Sequence, residues 1–327
     1  MKARALVFSF LALGTLACSG EPITIGLEQP LRVLDAQFRE EDLPGLPPLT
    51  AEDVIAGVTP TKPFVSGVDL PNALFRVGEA ARAIRGLASD DATAVGVRLG
   101  DQGNGYWLIP TTNEDALNPG QVEWRLRAAI GPHAEPGIHP LLFAALDAEG
   151  RSGTRGAVNL CILPEVPDNG NACDPTTEPP ALVVSLSWDA PVDLDLRVIT
   201  PRGKVVDSKH ASTAPQDEDG KFDPTEPGTG ILDFDAGAHC LESGRRRENL
   251  VFQDVPSPGV YLIYADLYDA CGQDGAHFDV SLHVPAPGEE EGTFTTIETY
   301  REAGQLQAVH ATGGRALGLY LTSFVLE

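Results

Sequence analysis

The chain has 327 residues, with 47 acidic against 23 basic side chains and a formal net charge of −24 at pH 7. This excess of carboxylates repels nucleic acid and anionic lipid headgroups, so nucleic acid is excluded as a partner. The length predicts two domains of ordinary size, and a hydrophobic content of 42% suffices for packed cores.

The first residues predict export. Lys2 and Arg4 precede an apolar run over residues 5–16, and small residues follow it. The run is too short to span a bilayer and has the three-part layout of a secretory signal. We therefore assign residues 1–17 to a signal peptide.

The end of this segment, TLAC over residues 15–18, resembles the lipobox of bacterial lipoproteins. The resemblance implies that Cys18 is lipidated and that residues 18–21 tether the protein to a membrane. Ser19 after the cysteine implies the outer membrane. The alternative is a conventional signal peptide that leaves Cys18 as a free thiol, which is a liability in an oxidising compartment.

Residues 22–164 have the pattern of short strands separated by turns. The loop GDQGNG separates two strand-like segments, 95–99 and 106–110, as in a hairpin. Polar and apolar side chains alternate over residues 123–128, and residues 157–163 are again apolar. This region is therefore predicted to be a β-sandwich domain.

Two segments of this region are candidates for helices. Thr50 is a suitable N-cap for LTAEDVIAGV, with Asp53 three residues later. Residues 78–91, GEAARAIRGLASDD, are rich enough in alanine for a second helix, although their glycines oppose it.

Residues 165–180, EVPDNGNACDPTTEPP, are rich in Pro, Asn and Thr and predict a linker. Strand-like alternation resumes in a second domain over residues 181–327. The strands predicted there are 184–188, 193–200, 277–284, 293–300, 305–311 and 316–325. No strand–helix alternation is present, so we predict an all-β fold of two immunoglobulin-like or jelly-roll-like β-sandwich domains.

Four cysteines remain if Cys18 is lipidated, and they can form two disulfides. Of the three pairings that four cysteines allow, we favour Cys161 with Cys173 and Cys240 with Cys271, because each bridge then stays within one region. A four-cysteine zinc site would need Cys-x-x-Cys pairs, and the sequence has none.

Two D-x-D pairs stand out in the second domain. Period-two alternation places Asp193 and Asp195 on the strand face opposite the apolar side chains, and Asp233 and Asp235 repeat the arrangement. Four carboxylates brought together repel one another unless they are protonated or share a cation. Calcium takes six to eight oxygen ligands, so it is the expected ion. The predicted metal ligands are Asp193, Asp195, Asp233, Asp235, Glu248 and Asn249.

Two simpler interpretations of these aspartates remain open. Arg245, Arg246 and Arg247 could pair with the same carboxylates through bidentate hydrogen bonds. Alternatively, the pairs are solvated surface, as acidic side chains on exposed strand faces usually are. The long acidic segment over residues 207–230 is a second place to look for binding, although it lacks the spacing of an EF-hand loop.

The ordered segments WDAPVDLDLRVITPRGKVV, GILDFDAGAHC, RRRENLVF and PSPGVYLIYADLYDACG resemble the YfaP-like bacterial domain of unknown function. The resemblance covers residues 187–284. It implies an exported β-sandwich module of surface and secreted proteins with no established reaction. This chain has Arg197 where the family usually has histidine, so a histidine ligand at that position would be lost here.

Motifs of enzymes are missing from the sequence: it has no Gly-x-Ser-x-Gly, no His-Glu-x-x-His and no phosphate-binding glycine loop. His277, Asp279 and His283 on one strand face could bind zinc, but the polar face of an antiparallel strand produces the same pattern.

We therefore expect a lipid-anchored protein of the cell envelope that binds a protein or glycan or serves a structural role, without evident catalysis. One alternative is an envelope hydrolase with His210 or His239 as base, and another is a scaffold subunit of an envelope complex.

Overall fold

The computed structural model describes residue 26 and residues 28–215, 218–219, 221–241 and 244–327. The predicted signal peptide, Cys18 and the predicted tether lie outside these residues. Within the described ranges, no helix has the length and apolar character needed to cross a bilayer.

The chain folds mainly into strands. One short helix, α1 (Ala51–Ile55), carries the predicted cap: the Asp53 N–H donates to Thr50 Oγ1 at 3.1 Å, and Asp53 Oδ2 accepts from the Thr50 N–H. Two 3-10 helices cover Ala238–Cys240 and Ala308–His310.

The strands of the first half are β1 (Leu31–Leu34), β2 (Gln37–Arg39), β3 (Val65–Asp69), β4 (Leu74–Arg76), β5 (Arg82–Ser89), β6 (Ala94–Leu99), β7 (Tyr106–Glu114), β8 (Gln121–Ile130), β9 (Gly137–Leu146) and β10 (Gly156–Leu163). Those of the second half are β11 (Leu182–Trp188), β12 (Asp193–Ile199), β13 (Val205–Val206), β14 (Gly230–Leu232), β15 (Arg247–Phe252), β16 (Gly259–Asp269), β17 (Gly275–Pro287), β18 (Phe294–Gln307) and β19 (Leu319–Leu326).

The first-half strands form a sheet with the order β3-β5-β8-β7-β6-β9-β10-β4, with β1 added on β8 and β2 on β7. The early residues of β7 pair with β6, and its pairing then passes to β8 at Thr111 and Trp124. This switch folds the sheet over its own core, where Ile84, Trp124 and Phe143 are fully buried.

The helix predicted over residues 78–91 is wrong, because this segment contains strand β5. Buried Ile84 and Ala88 lie on the strand between β3 and β8. A Cβ at Gly86 would lie 2.1 Å from the carbonyl oxygen of Gly67. The glycine that opposes a helix is thus needed where two strands approach closely.

The second half is a sandwich of two sheets, β14-β15-β11-β17-β18 and β13-β12-β16-β19. Their inner faces share one core that includes Leu186, Leu194, Leu250, Ile263 and Val280. The all-β fold is therefore confirmed, with packed sheets in place of strand–helix units.

Near the C-terminus, one long strand, β18 over residues 294–307, replaces the two strands predicted over residues 293–300 and 305–311. Residues 308–310 of the second predicted strand form a 3-10 helix. Gly304 lies inside this strand, opposite Phe278. A Cβ at this position would lie 2.4 Å from the ring of Phe278, so only glycine fits there. Here glycine makes room for an aromatic side chain and does not mark a turn.

Both predicted disulfides are present. Cys161 joins Cys173 with a Cα–Cα distance of 5.7 Å, which ties the turn-rich segment 165–180 to β10. Cys240 joins Cys271 with a Cα–Cα distance of 5.5 Å. The second bridge holds the segment after β14 beside the end of β16.

Candidate cation site

Strand β12 carries its acidic side chains into a buried environment. Asp193 and Asp195 are each 3% exposed, although Leu194 between them and Leu196 after them face the sandwich core. The interpretation of this pair as solvated surface is therefore wrong. Other parts of the second half cover the outer face of β12, and the sequence of the strand does not reveal them.

One covering segment follows β14 and reaches β12 through Gly237. This glycine has φ +80°, and a Cβ there would lie 2.6 Å from the carbonyl oxygen of Val192. The close approach lets the His239 N–H donate to Asp193 Oδ2 at 2.9 Å. It also brings Asp235 to the acidic side chains of β12.

Asp193, Asp195 and Asp235 each offer a carboxylate oxygen, and these three oxygens lie within 4.8 Å of one another. We call these three residues the aspartate cluster. Asp235 is exposed and forms the open side, whereas the other two are buried. The structure thus brings together three of the six predicted ligands.

The pKa values in the cluster are raised. The pKa of Asp195 is raised to about 7, mainly by burial and in addition by the charges of Asp193 and Asp235. The pKa of Asp193 is raised to about 6, mainly by burial and against the lowering effect of the His239 N–H. Among the described residues, none donates a hydrogen bond to the Asp195 carboxylate.

Glu248, another of the predicted ligands, lies beside the cluster and contacts two backbone segments. Its two carboxylate oxygens accept backbone hydrogen bonds, from Leu196 at 2.8 Å and from Ala236 at 3.0 Å. The side chain is fully buried, and burial followed by the charge of Asp195 raises its pKa well above the usual range. Glu248 therefore joins β12 to the segment that carries Asp235.

The two remaining predicted ligands pair with each other. Asp233 accepts from the backbone N–H of Asn249 at 2.9 Å and from its side-chain amide at 3.0 Å. Asp233 does not belong to the aspartate cluster. The second D-x-D pair thus contributes only Asp235, because β14 ends at Leu232 and both aspartates lie beyond it, where strand alternation no longer holds them on one face.

The arginines proposed as an alternative have other partners in the structure. Arg247 forms an ion pair with Glu165 at 3.0 Å, Arg246 donates to the carbonyl oxygen of Asp189, and Arg245 lies over the ring of Phe234.

The arginine beside the cluster is Arg197, which forms a buried ion pair with Asp266 at 2.6 Å. Asp266 was not among the predicted site residues. The sequence indication for it is an aspartate within the apolar run of β16, and the structure places it directly opposite Asp195 in the strand pairing. Thr312 also donates to Asp266, at 2.6 Å, from the segment between β18 and β19.

The predicted zinc ligands on β17 lie in separate contacts. His277 contacts Asp189 at 2.9 Å, His283 contacts Ser281 at 2.8 Å, and Asp279 lies 3.7 Å from Arg301. The histidines considered as catalytic bases also lie apart: His210 contacts Asp207 at 3.2 Å, whereas His239 meets the cluster through its backbone.

Asp269 and the two cysteines at positions 240 and 271 also lie close together. Both cysteines are in a disulfide, so they have no thiolate with which to bind a metal.

The aspartate cluster offers only oxygen atoms, which suits a hard cation such as calcium or magnesium rather than zinc or copper. Three carboxylates converge from two chain segments, and Asp235 leaves one side open for water or other oxygen ligands. The cluster can therefore bind a cation or take up protons.

No protein-family model matches the chain, and no characterised protein sequence matches it either. The resemblance to YfaP-like domains stays a prediction.

Among solved structures, the chain is similar to the C-terminal domain of the AgI/II polypeptide BspA of Streptococcus agalactiae, with 10% identity and a TM-score of 0.17, over 84% of this chain and 98% of that one. It is also similar to Salmonella alpha-2-macroglobulin reacted with methylamine, with 12% identity and a TM-score of 0.23, over 86% of this chain and 23% of that one. A tetra-tandem repeat from the extending region of a large adhesion protein has 10% identity and a TM-score of 0.18, over 76% of this chain and 66% of that one. At these TM-scores the likeness carries no conclusion about function.

Proposed function

We propose that this chain is a lipid-anchored protein of the bacterial cell envelope whose second half binds calcium at the aspartate cluster and serves as a binding or structural module there. One observation carries the proposal: the carboxylate oxygens of Asp193, Asp195 and Asp235 lie within 4.8 Å of one another, and two of these residues are buried.

The electrostatics of the cluster favour a bound cation. Three carboxylates, with Glu248 next to them, concentrate negative charge in a place where burial removes the screening by water. The nearest buried arginine, Arg197, is paired with Asp266. A divalent ion would offset most of the negative charge of the three carboxylates and allow them to stay ionised at neutral pH.

Calcium suits this geometry better than magnesium. Calcium accepts six to eight oxygen ligands in flexible arrangements, whereas magnesium requires a near-octahedral shell and keeps most of its water. Three converging carboxylates with an open side at Asp235 provide the larger, irregular shell. The bound ion would join β12 to the segment after β14 and so stabilise that edge of the sandwich.

Two features support export of the protein: the lipobox-like sequence near the N-terminus and the disulfides, one of which begins in each half. The lipobox-like sequence ends at Cys18, and two disulfides are typical of proteins that fold in an oxidising compartment. The partner that we propose is a protein or glycan of the envelope, since the net charge of −24 opposes nucleic acid.

Thermal unfolding with calcium, with magnesium and with chelator tests the proposal. Calcium at about 100 times its Kd adds about 2.7 kcal/mol, which raises Tm by roughly 5–10 °C. Magnesium should raise it less. Asp195→Asn should lose the calcium response, and Asp254→Asn, at an exposed aspartate of the same half, should keep it.

An equal Tm in calcium and chelator would overturn the calcium site. So would an Asp195→Asn protein that responds to calcium as the unmodified chain does. Membrane fractionation of the chain and of its Cys18→Ser variant tests the anchor separately, because only the unmodified chain should stay with the outer membrane.

A further inference from the structure

A second polar site lies between the two halves of the molecule. It is a cleft of about 600 Å³, lined by residues of β4, β8 and β1 on one side and of β11 and β15 on the other. A cleft of this volume accommodates a small ligand, and junctions between domains are common places for ligand sites. It is separate from the aspartate cluster, none of whose members lines it.

Three buried polar atoms without a hydrogen-bond partner in the described residues belong to residues that line this cleft: Arg32 Nε, Trp188 Nε1 and Asn249 Oδ1. Trp188 and Asn249 are both more than nine-tenths buried. Asn249 already donates to Asp233 through its amide nitrogen, so only its oxygen lacks a partner. Buried polar atoms are nearly always hydrogen-bonded in folded proteins, so these three point to a missing partner.

The charges of the cleft favour an anionic ligand. Its carboxylates have partners already: Glu79 pairs with Arg82, Glu165 with Arg247, and Asp233 with Asn249. Arg32 and Arg76 form no ion pair with a described carboxylate, although Arg76 donates to the carbonyl oxygen of Pro164. Burial lowers the pKa of Arg76, and the nearby charge of Arg245 lowers it further. The charges of Asp233, Asp168 and Glu79 also act on Arg76, but none of them forms an ion pair with it. The two arginines thus lie in the cleft without a direct ion-pair partner among the described carboxylates.

We propose that this cleft binds a sugar that carries a carboxylate or phosphate group, with Arg32 and Arg76 binding the anionic group and Trp188 and Asn249 binding hydroxyl groups. The indole N–H of Trp188 needs an acceptor, and the amide oxygen of Asn249 needs a donor. A hydroxyl group supplies either, and a sugar carries several hydroxyl groups at fixed spacing from its anionic group. The proposal is independent of the calcium site.

Calorimetric titration of the full chain with four compounds tests the ligand class. Glucuronate and glucose 6-phosphate carry both the anionic group and hydroxyls, glucose lacks the anion, and inorganic phosphate lacks the hydroxyls of a sugar. At least one of the two anionic sugars should bind about tenfold more tightly than both glucose and phosphate. The tighter of the two anionic sugars identifies the anionic group.

Variants then place the binding in the cleft. Arg76→Gln should weaken binding of the anionic sugar by about tenfold or more, because a charged hydrogen bond is lost. Arg85→Gln removes an arginine from an exposed ion pair outside the cleft and should leave affinity unchanged. Binding should also alter the tryptophan fluorescence, and Trp188→Phe should abolish that change. Melting temperatures of the variants confirm that they fold.

Three results would overturn the proposal. The first is no heat from either anionic sugar at about 10 mM, where a site with a Kd of about 1 mM is mostly filled. The second is glucose or phosphate binding as tightly as the anionic sugars. The third is an affinity that is the same in Arg76→Gln and Arg85→Gln.

Discussion

The two halves of the molecule differ in where they place charged side chains. Two ion pairs of the first half lie at the surface: the side chains of Lys62 with Asp90 and of Arg85 with Asp69 are all about half exposed or more. In the second half, Arg197 and Asp266 form a buried pair, and Asp195 and Glu248 are buried close by. The folds are similar in class, yet among the described strands only those of the second half carry carboxylates that are more than nine-tenths buried.

This difference shows where function is to be sought. Surface ion pairs add little to stability, and a sandwich can form without buried charge. Buried carboxylates lower stability unless a cation or a donor compensates them, so they need another reason to be present. The second half therefore carries the cation proposal, whereas the first half supplies one wall of the cleft.

The largest expected effect comes from the buried ion pair. Arg197→Leu leaves Asp266 fully buried without its cation and should lower the free energy of unfolding by about 3–5 kcal/mol. Arg85→Leu breaks a surface pair in the first half and should cost less than about 1 kcal/mol. Urea denaturation measures both. Equal effects of the two substitutions would remove the contrast between the halves.

The disulfides provide a second comparison. The bridge between Cys240 and Cys271 spans 31 residues and that between Cys161 and Cys173 spans 12, so chain entropy predicts losses of about 3.5 and about 3 kcal/mol on replacement by serine. The two replacements should therefore cost similar amounts of stability, but the two variants should differ in how much calcium raises their melting temperature. Only loss of the Cys240–Cys271 bridge loosens the segment with Asp235. Calcium-dependent melting of both serine variants checks this, and a response that survives without that bridge contradicts it.

A smaller effect is expected from pH in chelator. The folded-state pKa values of about 6 for Asp193 and about 7 for Asp195 lie above the unfolded value of 3.8. The folded state thus binds more protons between pH 4 and 7, so stability should fall as pH rises through this range. Melting of the chain and of Asp195→Asn at pH 5 and pH 8 gives the effect as a difference, in which other groups such as His283 cancel. The prediction would be contradicted if, in chelator, the unmodified chain gained stability relative to Asp195→Asn as the pH rises.

Much of the fold follows from local sequence pattern. Alternation along 123–128 and 277–284 predicted strands β8 and β17, and the capping pair at Thr50 predicted α1. The helix predicted over 78–91 is wrong because Gly86 packs against β3, where only a hydrogen fits: a Cβ would lie 2.1 Å from the carbonyl oxygen of Gly67. That contact joins residues of different strands, so periodicity does not reveal it.

Only part of the aspartate cluster could be predicted, because strand periodicity shows which face a side chain is on but not what covers that face. Period-two alternation placed Asp193 and Asp195 on one face, but their burial depends on the segment after β14, which approaches β12 through Gly237. Glu248 and Asp266 acquire their roles from backbone and ion-pair contacts across the sandwich. Such contacts join residues distant in sequence, and a single sequence gives no measure of them.

Calorimetric titration with calcium at pH 7, in two buffers with different heats of ionisation, tests the central claim most directly. We expect one calcium ion to bind per chain with a release of protons, because Asp195 is partly protonated at this pH before the ion binds. Asp195→Asn should abolish the binding. Absence of binding heat in both buffers, or calcium bound as well by Asp195→Asn, would contradict a cation site at these aspartates.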